Sequence, residues 1–147
     1  MPTRVQTLRR RWLRALSVLP LLATARARAE VLNIRAEELV ARRLSPQGVS
    51  IDLPTHADSG ASVPLSVDIT APAGLTLNTL EVFTPGNPNT LAVKLRLHDT
   101  HDTFRFSTRL RLAGTQNVWV VVTLSNGQQI GASAPTTVTS SACFDAS

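Results

Sequence analysis

The 147-residue sequence predicts an all-β fold. It is an immunoglobulin-like β-sandwich of about seven strands, with a short N-terminal helical arm and a mobile C-terminal tail. Three observations predict it. From Val49 onward the apolar residues recur with a period of two, as on strands with one buried face. The runs are short and are separated by Gly, Pro, Asn and Ser clusters that favour turns. Only one stretch, 34–44, has the pattern of a helix.

The elements follow in order. The first is a leader. A basic head (Arg4, Arg9, Arg10, Arg11, Arg14) precedes an apolar run through Ala15–Ala23, and Ala27-Arg28-Ala29 fits a small-residue cleavage site. This is the layout of a secretory signal peptide, so residues 1–29 are expected to be removed. The apolar run is shorter than the ~20 residues that span a bilayer as a helix, so no stable membrane anchor is expected. Arg9 to Arg14 (RRRWLR) resembles the twin-arginine export signal, with Arg9 and Arg10 as its pair. Such leaders serve proteins exported already folded, and the expected location is the periplasm. The leader also accounts for the charge. The whole chain carries +5, yet residues 1–29 hold seven arginines and no acid, so the remainder carries −2. No basic patch for nucleic-acid phosphates is left.

Residues 30–48 form the arm. Within it, 34–44 (IRAEELVARRL) places Glu37 and Glu38 early and Arg42 and Arg43 late, which suits the helix dipole; Pro46 and Gly48 end it. Residues 49–139 form the sandwich. VSIDL alternates, and SVPLSVDIT puts Val63, Leu65, Val67 and Ile69 on one face. LNTLEVF, LAVKLRLHD, TFRFSTRLRL, NVWVVVTLS and QQIGASAPTTVT supply the remaining strands. Asp58, in HADSGAS, is expected in a turn. PGNPN (85–89) and AGTQN (113–117) are loops. Asn126-Gly127 is the strongest short hairpin signal, and both residues are expected at positive φ.

One strand is apolar on both faces. Val118, Val120, Val122 and Leu124 suffice for a core; Trp119 and Val121 lie on the other side. That second face needs a cover. A partner protein or the N-terminal arm could each supply it, and the sequence leaves both open. Trp119 and Val121 are the candidate partner-interface residues.

Catalytic chemistry is scarce. His98 and His101 flank a polar turn between strands, too few ligands for a metal site, so no metal and no cofactor are expected. The nucleophile elbow, the phosphate loop, the dinucleotide-binding glycines and the paired-cysteine redox motif are all missing, so the chain is not expected to be an enzyme. There remains Cys143, the sole cysteine, in TTVTSSACFDAS. Its near neighbours in sequence bring one acid, Asp145, and no cation. A lone tail thiol of this kind is a handle offered to other proteins' active sites. If the last strand ends near Val138 or Thr139, the thiol reaches roughly 15 Å beyond it, at ~3.4 Å per residue.

Four stretches carry a family resemblance: ADSGASVPLSVDI, LEVFTPGNPN, FSTRLRLAGTQNVWVVVTLSNGQ and VTSSACFDAS. Together with the leader and the single late cysteine, they resemble SoxY, the sulfur-carrier subunit of bacterial thiosulfate-oxidising (Sox) systems. The resemblance implies an immunoglobulin-like sandwich that pairs with a SoxZ-like subunit, and a tail, residues 140–147, that bears the cargo on Cys143. It implies three kinds of partner enzyme: a haem-containing loading enzyme, a sulfate-releasing hydrolase and a sulfur dehydrogenase. The family's usual tail is Gly-Gly-Cys-Gly-Gly, whereas Ser141, Ala142, Phe144 and Asp145 flank the cysteine here. Two alternatives stay beside the carrier of thiosulfate- or sulfide-derived sulfur. One is a divergent carrier with another cargo; the other is a non-carrier interaction module.

Overall fold

The computed structural model describes residues 34–98 and 102–143. Arg9 and Arg10 with the rest of the leader, His101, Phe144 and Asp145 lie outside the described residues. Among the described residues, one helix, α1 (Ala36–Ala41), precedes eight strands. These are β1 (Val49–Asp52), β2 (His56–Ser59), β3 (Val63–Thr70), β4 (Leu77–Phe83), β5 (Leu91–Arg96), β6 (Thr103–Leu110), β7 (Gln116–Leu124) and β8 (Gln129–Ser140). They form a sandwich of two sheets, β1-β3-β6 and β2-β8-β7-β4-β5. All pairings are antiparallel except β2 with β8, which is parallel. No described helix is long and apolar enough to cross a membrane.

The period-two faces meet as expected. Val63, Leu65, Val67 and Ile69 of β3 face Val118, Val120, Val122 and Leu124 of β7 across one core, with Leu80 and Val82 of β4 beside them. All of these are 2% exposed or less. No disulfide closes this core, since Cys143 is unpaired; aliphatic side chains fill it, with Phe104 and Phe106 partly buried against them.

Three local expectations are corrected. Asp58 is not in a turn: it lies on β2, where His56 pairs with Thr137 and Ser59 with Ser140. The strand exists because β8 offers a backbone ladder there, not because its own polar residues favour extension. Second, the β7–β8 connection is not a two-residue hairpin with two positive-φ residues. Only Gly127 has φ near +83°, and Ser125–Gln128 form a longer loop in which Asn126 Oδ1 accepts the Gln128 amide at 2.9 Å. Third, the arm helix covers Ala36–Ala41 rather than 34–44, because Arg43 enters the left-handed region (φ 47°) and stops it. Pro135 sits inside β8 without breaking the sheet. It pairs with Asn117 on one side, and β2 begins pairing only at Thr137 on the other, so its missing N–H leaves no gap.

Candidate functional site

The site is the base of the tail. Strand β8 does not release the chain at Val138; it runs to Ser140, and backbone bonding continues past it. The Gly60 amide donates to the Ser140 carbonyl at 2.7 Å, the Leu112 amide to the Gly60 carbonyl at 2.8 Å, and the Ala142 amide to the Leu112 carbonyl at 3.0 Å. Ala142 is 8% exposed and packs into the end of the sandwich. Arg111 Nη2 then donates to the carbonyl oxygen of Cys143 at 2.7 Å. The tail is therefore seated as far as the cysteine's own carbonyl. The roughly 15 Å of loose chain expected from the sequence is, in this arrangement, taken up by bonded residues. Cys143 itself is exposed.

The seat is built from three other segments. Gly60 leaves β2 and has no room for a side chain: a Cβ there would collide with the Leu112 carbonyl and reach 3.0 Å from the Ala142 nitrogen. Arg111 and Leu112 leave β6, and Leu112 is fully buried. A side-chain amide relay holds this turn to the PGNPN loop. Asn87 Nδ2 donates to the Arg111 carbonyl at 2.7 Å, and Asn87 Oδ1 accepts from the Ala113 amide at 2.9 Å and from Gln116 Nε2 at 3.0 Å. Gln116 Oε1 accepts the Gly86 amide at 2.8 Å. On the other side, the Val138 amide donates to Thr115 Oγ1 at 3.0 Å. The four stretches quoted above thus converge here. Gly60, Asn87, Arg111 to Gln116, and Val138 to Cys143 come one from each.

Sequence reasoning missed Arg111. In the sequence it is one of several arginines in TFRFSTRLRL, and the near neighbours of Cys143 in sequence include no cation. The signal was its place in the longest of the four stretches; the bond itself arises from a β6 exit and a tail end that the fold alone brings together.

Trp119 and Val121 lie away from the tail base, on the outer face of the five-stranded sheet. The arm lies on them. Ile34 and Leu39 pack with Phe83 and Val121 into a second small core, against which Trp119, Leu44 and Leu91 are partly buried. Val121 and Leu39 are fully buried. The Ile34 amide donates to Thr90 Oγ1 at 3.0 Å, and the Gly131 amide to the Ser45 carbonyl at 2.9 Å, which ties the described part of the arm down on either side of α1. Glu81, beside Val121 on this face, pairs with Lys94 at 2.7 Å. Trp119 Nε1 is buried with no hydrogen-bond partner among the described residues. On α1 itself, Val40 stays 61% exposed.

Among the described residues no cluster of His, Cys, Asp and Glu could hold a metal. His98 follows β5 and is exposed, and His56 is an exposed residue of β2.

No curated protein matches the chain. Among solved structures, the sulfur carrier protein SoxY from Chlorobium limicola f thiosulfatophilum is 24% identical, with 69% of this chain and 94% of that chain covered and a TM-score of 0.56. A superoxide reductase (neelaredoxin) from Ignicoccus hospitalis is 11% identical over 63% of this chain and 80% of that one, at a TM-score of 0.46. A fibronectin(III)-like module structure from Clostridium thermocellum CbhA is 23% identical over 61% and 93%, at 0.41. The family described as sulfur oxidation protein SoxY matches residues 36–143, a span that begins at α1, takes in every strand and ends on the cysteine. The chain belongs to the SoxY family of sulfur oxidation proteins.

Proposed function

We propose that the protein is a periplasmic covalent carrier of sulfur intermediates, with Cys143 as the attachment point. The carrying observation is the thiol's situation. It is the sole cysteine of the sequence, it is exposed and unpaired, and it stands at the far end of the family match. A cysteine with a structural task would be buried or bonded; this one is presented.

The chemistry is oxidative loading followed by hydrolysis. The thiolate sulfur bonds to the outer sulfur of thiosulfate, giving a cysteine S-thiosulfonate and releasing two electrons, which the haem-containing loading enzyme would take up one at a time and pass on. Water then cleaves the sulfur–sulfonate bond in a hydrolase, releasing sulfate and two protons and leaving a persulfide. A sulfur dehydrogenase takes the persulfide sulfur further. The carrier supplies a nucleophilic sulfur and its delivery, and the enzymes supply oxidation and hydrolysis.

A SoxZ-like subunit completes the unit in this reading. Val121 lies beneath the arm, so the partner would meet the outer edge of Trp119 and the exposed Val40 of α1 rather than Val121. The test is intact mass of protein recovered from the periplasm. Sulfur-containing adducts should be present, should be lost on reduction, and should be missing from Cys143→Ala. Equal thiosulfate turnover by wild type and Cys143→Ser with cognate enzymes would reject the carrier reading in favour of a plain interaction module.

A further inference from the structure

We propose that Arg111 is a clamp on the tail. It holds the cysteine-bearing segment seated against the sandwich, and the bond must open before the thiol can enter another protein's channel. Arg111 is a positioning residue, acting through the main chain of Cys143 and not on the sulfur. The proposal adds a hold-and-release step to the carrier reading.

Three features carry it. Arg111 is the last anchor before the thiol: its guanidinium reaches the carbonyl of Cys143 itself, at 2.7 Å. A hydrogen bond with a charged donor is among the stronger kinds, and here it spans two segments 32 positions apart. The anchor is itself anchored. Asn87 fixes the Arg111 carbonyl and the Ala113 amide with both ends of one side chain, so the turn that presents the guanidinium is held on either side. The seat is also shaped to its occupant. Gly60 leaves space for Ala142 and the Leu112 carbonyl that any side chain would fill. Yet the tail's seating is slight in extent. Among the described residues beyond β8 it rests on the Ala142 amide bond, the burial of Ala142 and the Arg111 bond. Removing one of these should release the segment without disturbing the core in which Arg111, an exposed residue, has no part.

This arrangement gives the tail two states. Seated, the thiol stands on the protein's own surface, on the residue whose carbonyl is held. Released, the segment after Ser140 can extend into a channel. A partner enzyme would draw the tail out by offering the Cys143 carbonyl and the Ala142 amide replacement bonds.

The single cysteine makes the test direct. A methanethiosulfonate nitroxide attached to the full-length protein labels Cys143 alone, and its electron paramagnetic resonance line shape reports tail mobility. Wild type should give a predominantly slow spectrum. Arg111→Ala should convert it to a fast one, Arg111→Lys should retain part of the slow component, and Arg109→Ala, which loses only a bond to Ser62, should match wild type. Exchange of the Ala142 amide proton, measured by NMR on unlabelled protein, should accelerate about tenfold or more in Arg111→Ala, as expected for loss of a hydrogen bond to a charged group. Gly60→Ala should loosen the tail while leaving Arg111 in place. A fast spectrum in wild type, or identical spectra and identical Ala142 exchange in wild type and Arg111→Ala, overturns the clamp. Neither readout involves a sulfur cargo, so the clamp and the carrier reading fail separately.

Discussion

Truncating Leu39 to alanine should free the N-terminal arm while the sandwich stays folded. Leu39 is the fully buried residue of α1 and belongs to the small outer core with Ile34, Phe83 and Val121. Leu→Ala at such a site removes about 2–5 kcal/mol. The helix has six residues, and isolated helices shorter than ~12–15 residues are marginal at best, so α1 has no stability of its own to offset the loss. Undocking also brings water to Trp119 Nε1, which has no hydrogen-bond partner among the described residues while buried, and this favours release further. The main core contains no residue of the arm before Val49 and should keep its transition midpoint. Fluorescence reads the outcome. The sequence has two tryptophans, and in a Trp12→Phe background Trp119 is the sole indole. Leu39→Ala should red-shift its emission and expose it to acrylamide quenching, with the main thermal midpoint nearly unchanged. Unshifted emission together with a single transition lowered by the full amount would refute the argument, since arm and sandwich would then melt as one unit.

Two further perturbations address the partner and the route. Trp119→Asp should weaken binding of a SoxZ-like subunit by at least ~2 kcal/mol if the exposed edge of the indole is an interface anchor, and unchanged affinity by titration would take Trp119 out of that interface. Replacing Arg9 and Arg10 by lysine should block appearance of the protein in the periplasm, where N-terminal sequencing should otherwise find a start near Glu30; unaltered export would rule out the twin-arginine route.

Strands whose residues decide their own fate were legible in the sequence. The alternation of Val63, Leu65, Val67 and Ile69, and of Val118, Val120, Val122 and Leu124, needs one buried face and nothing else, and these runs pack on each other as read. Strand β2 was illegible because three of its four residues are polar and exposed, with Ala57 alone turned toward the core, and its extension is imposed by β8. The Asn126-Gly127 signal marked the right turn but the wrong type, since the loop length and not the dipeptide sets the backbone path. At the site, the thiol of Cys143 stood out by its isolation. Its seat did not, for Gly60, Asn87 and Arg111 each look like ordinary loop or surface residues until the sandwich brings them together.

That dispersal bears on the order of folding. Gly60, Asn87, Arg111 and Ala142 come from four stretches of chain, and no two neighbouring elements suffice to build the seat. Contacts of such wide sequence separation require closure of long loops and accumulate late. A chain still on its way to the native state has a cysteine-bearing segment that nothing holds. The finished sandwich takes hold of that segment only after the β2, β4–β5 and β6 ends have come to lie side by side. Seating of the tail is thus a built-in sign that folding is complete. A protein that crosses a membrane already folded would arrive with its cysteine-bearing segment seated, and one that must refold after crossing would pass through a period in which that segment is loose.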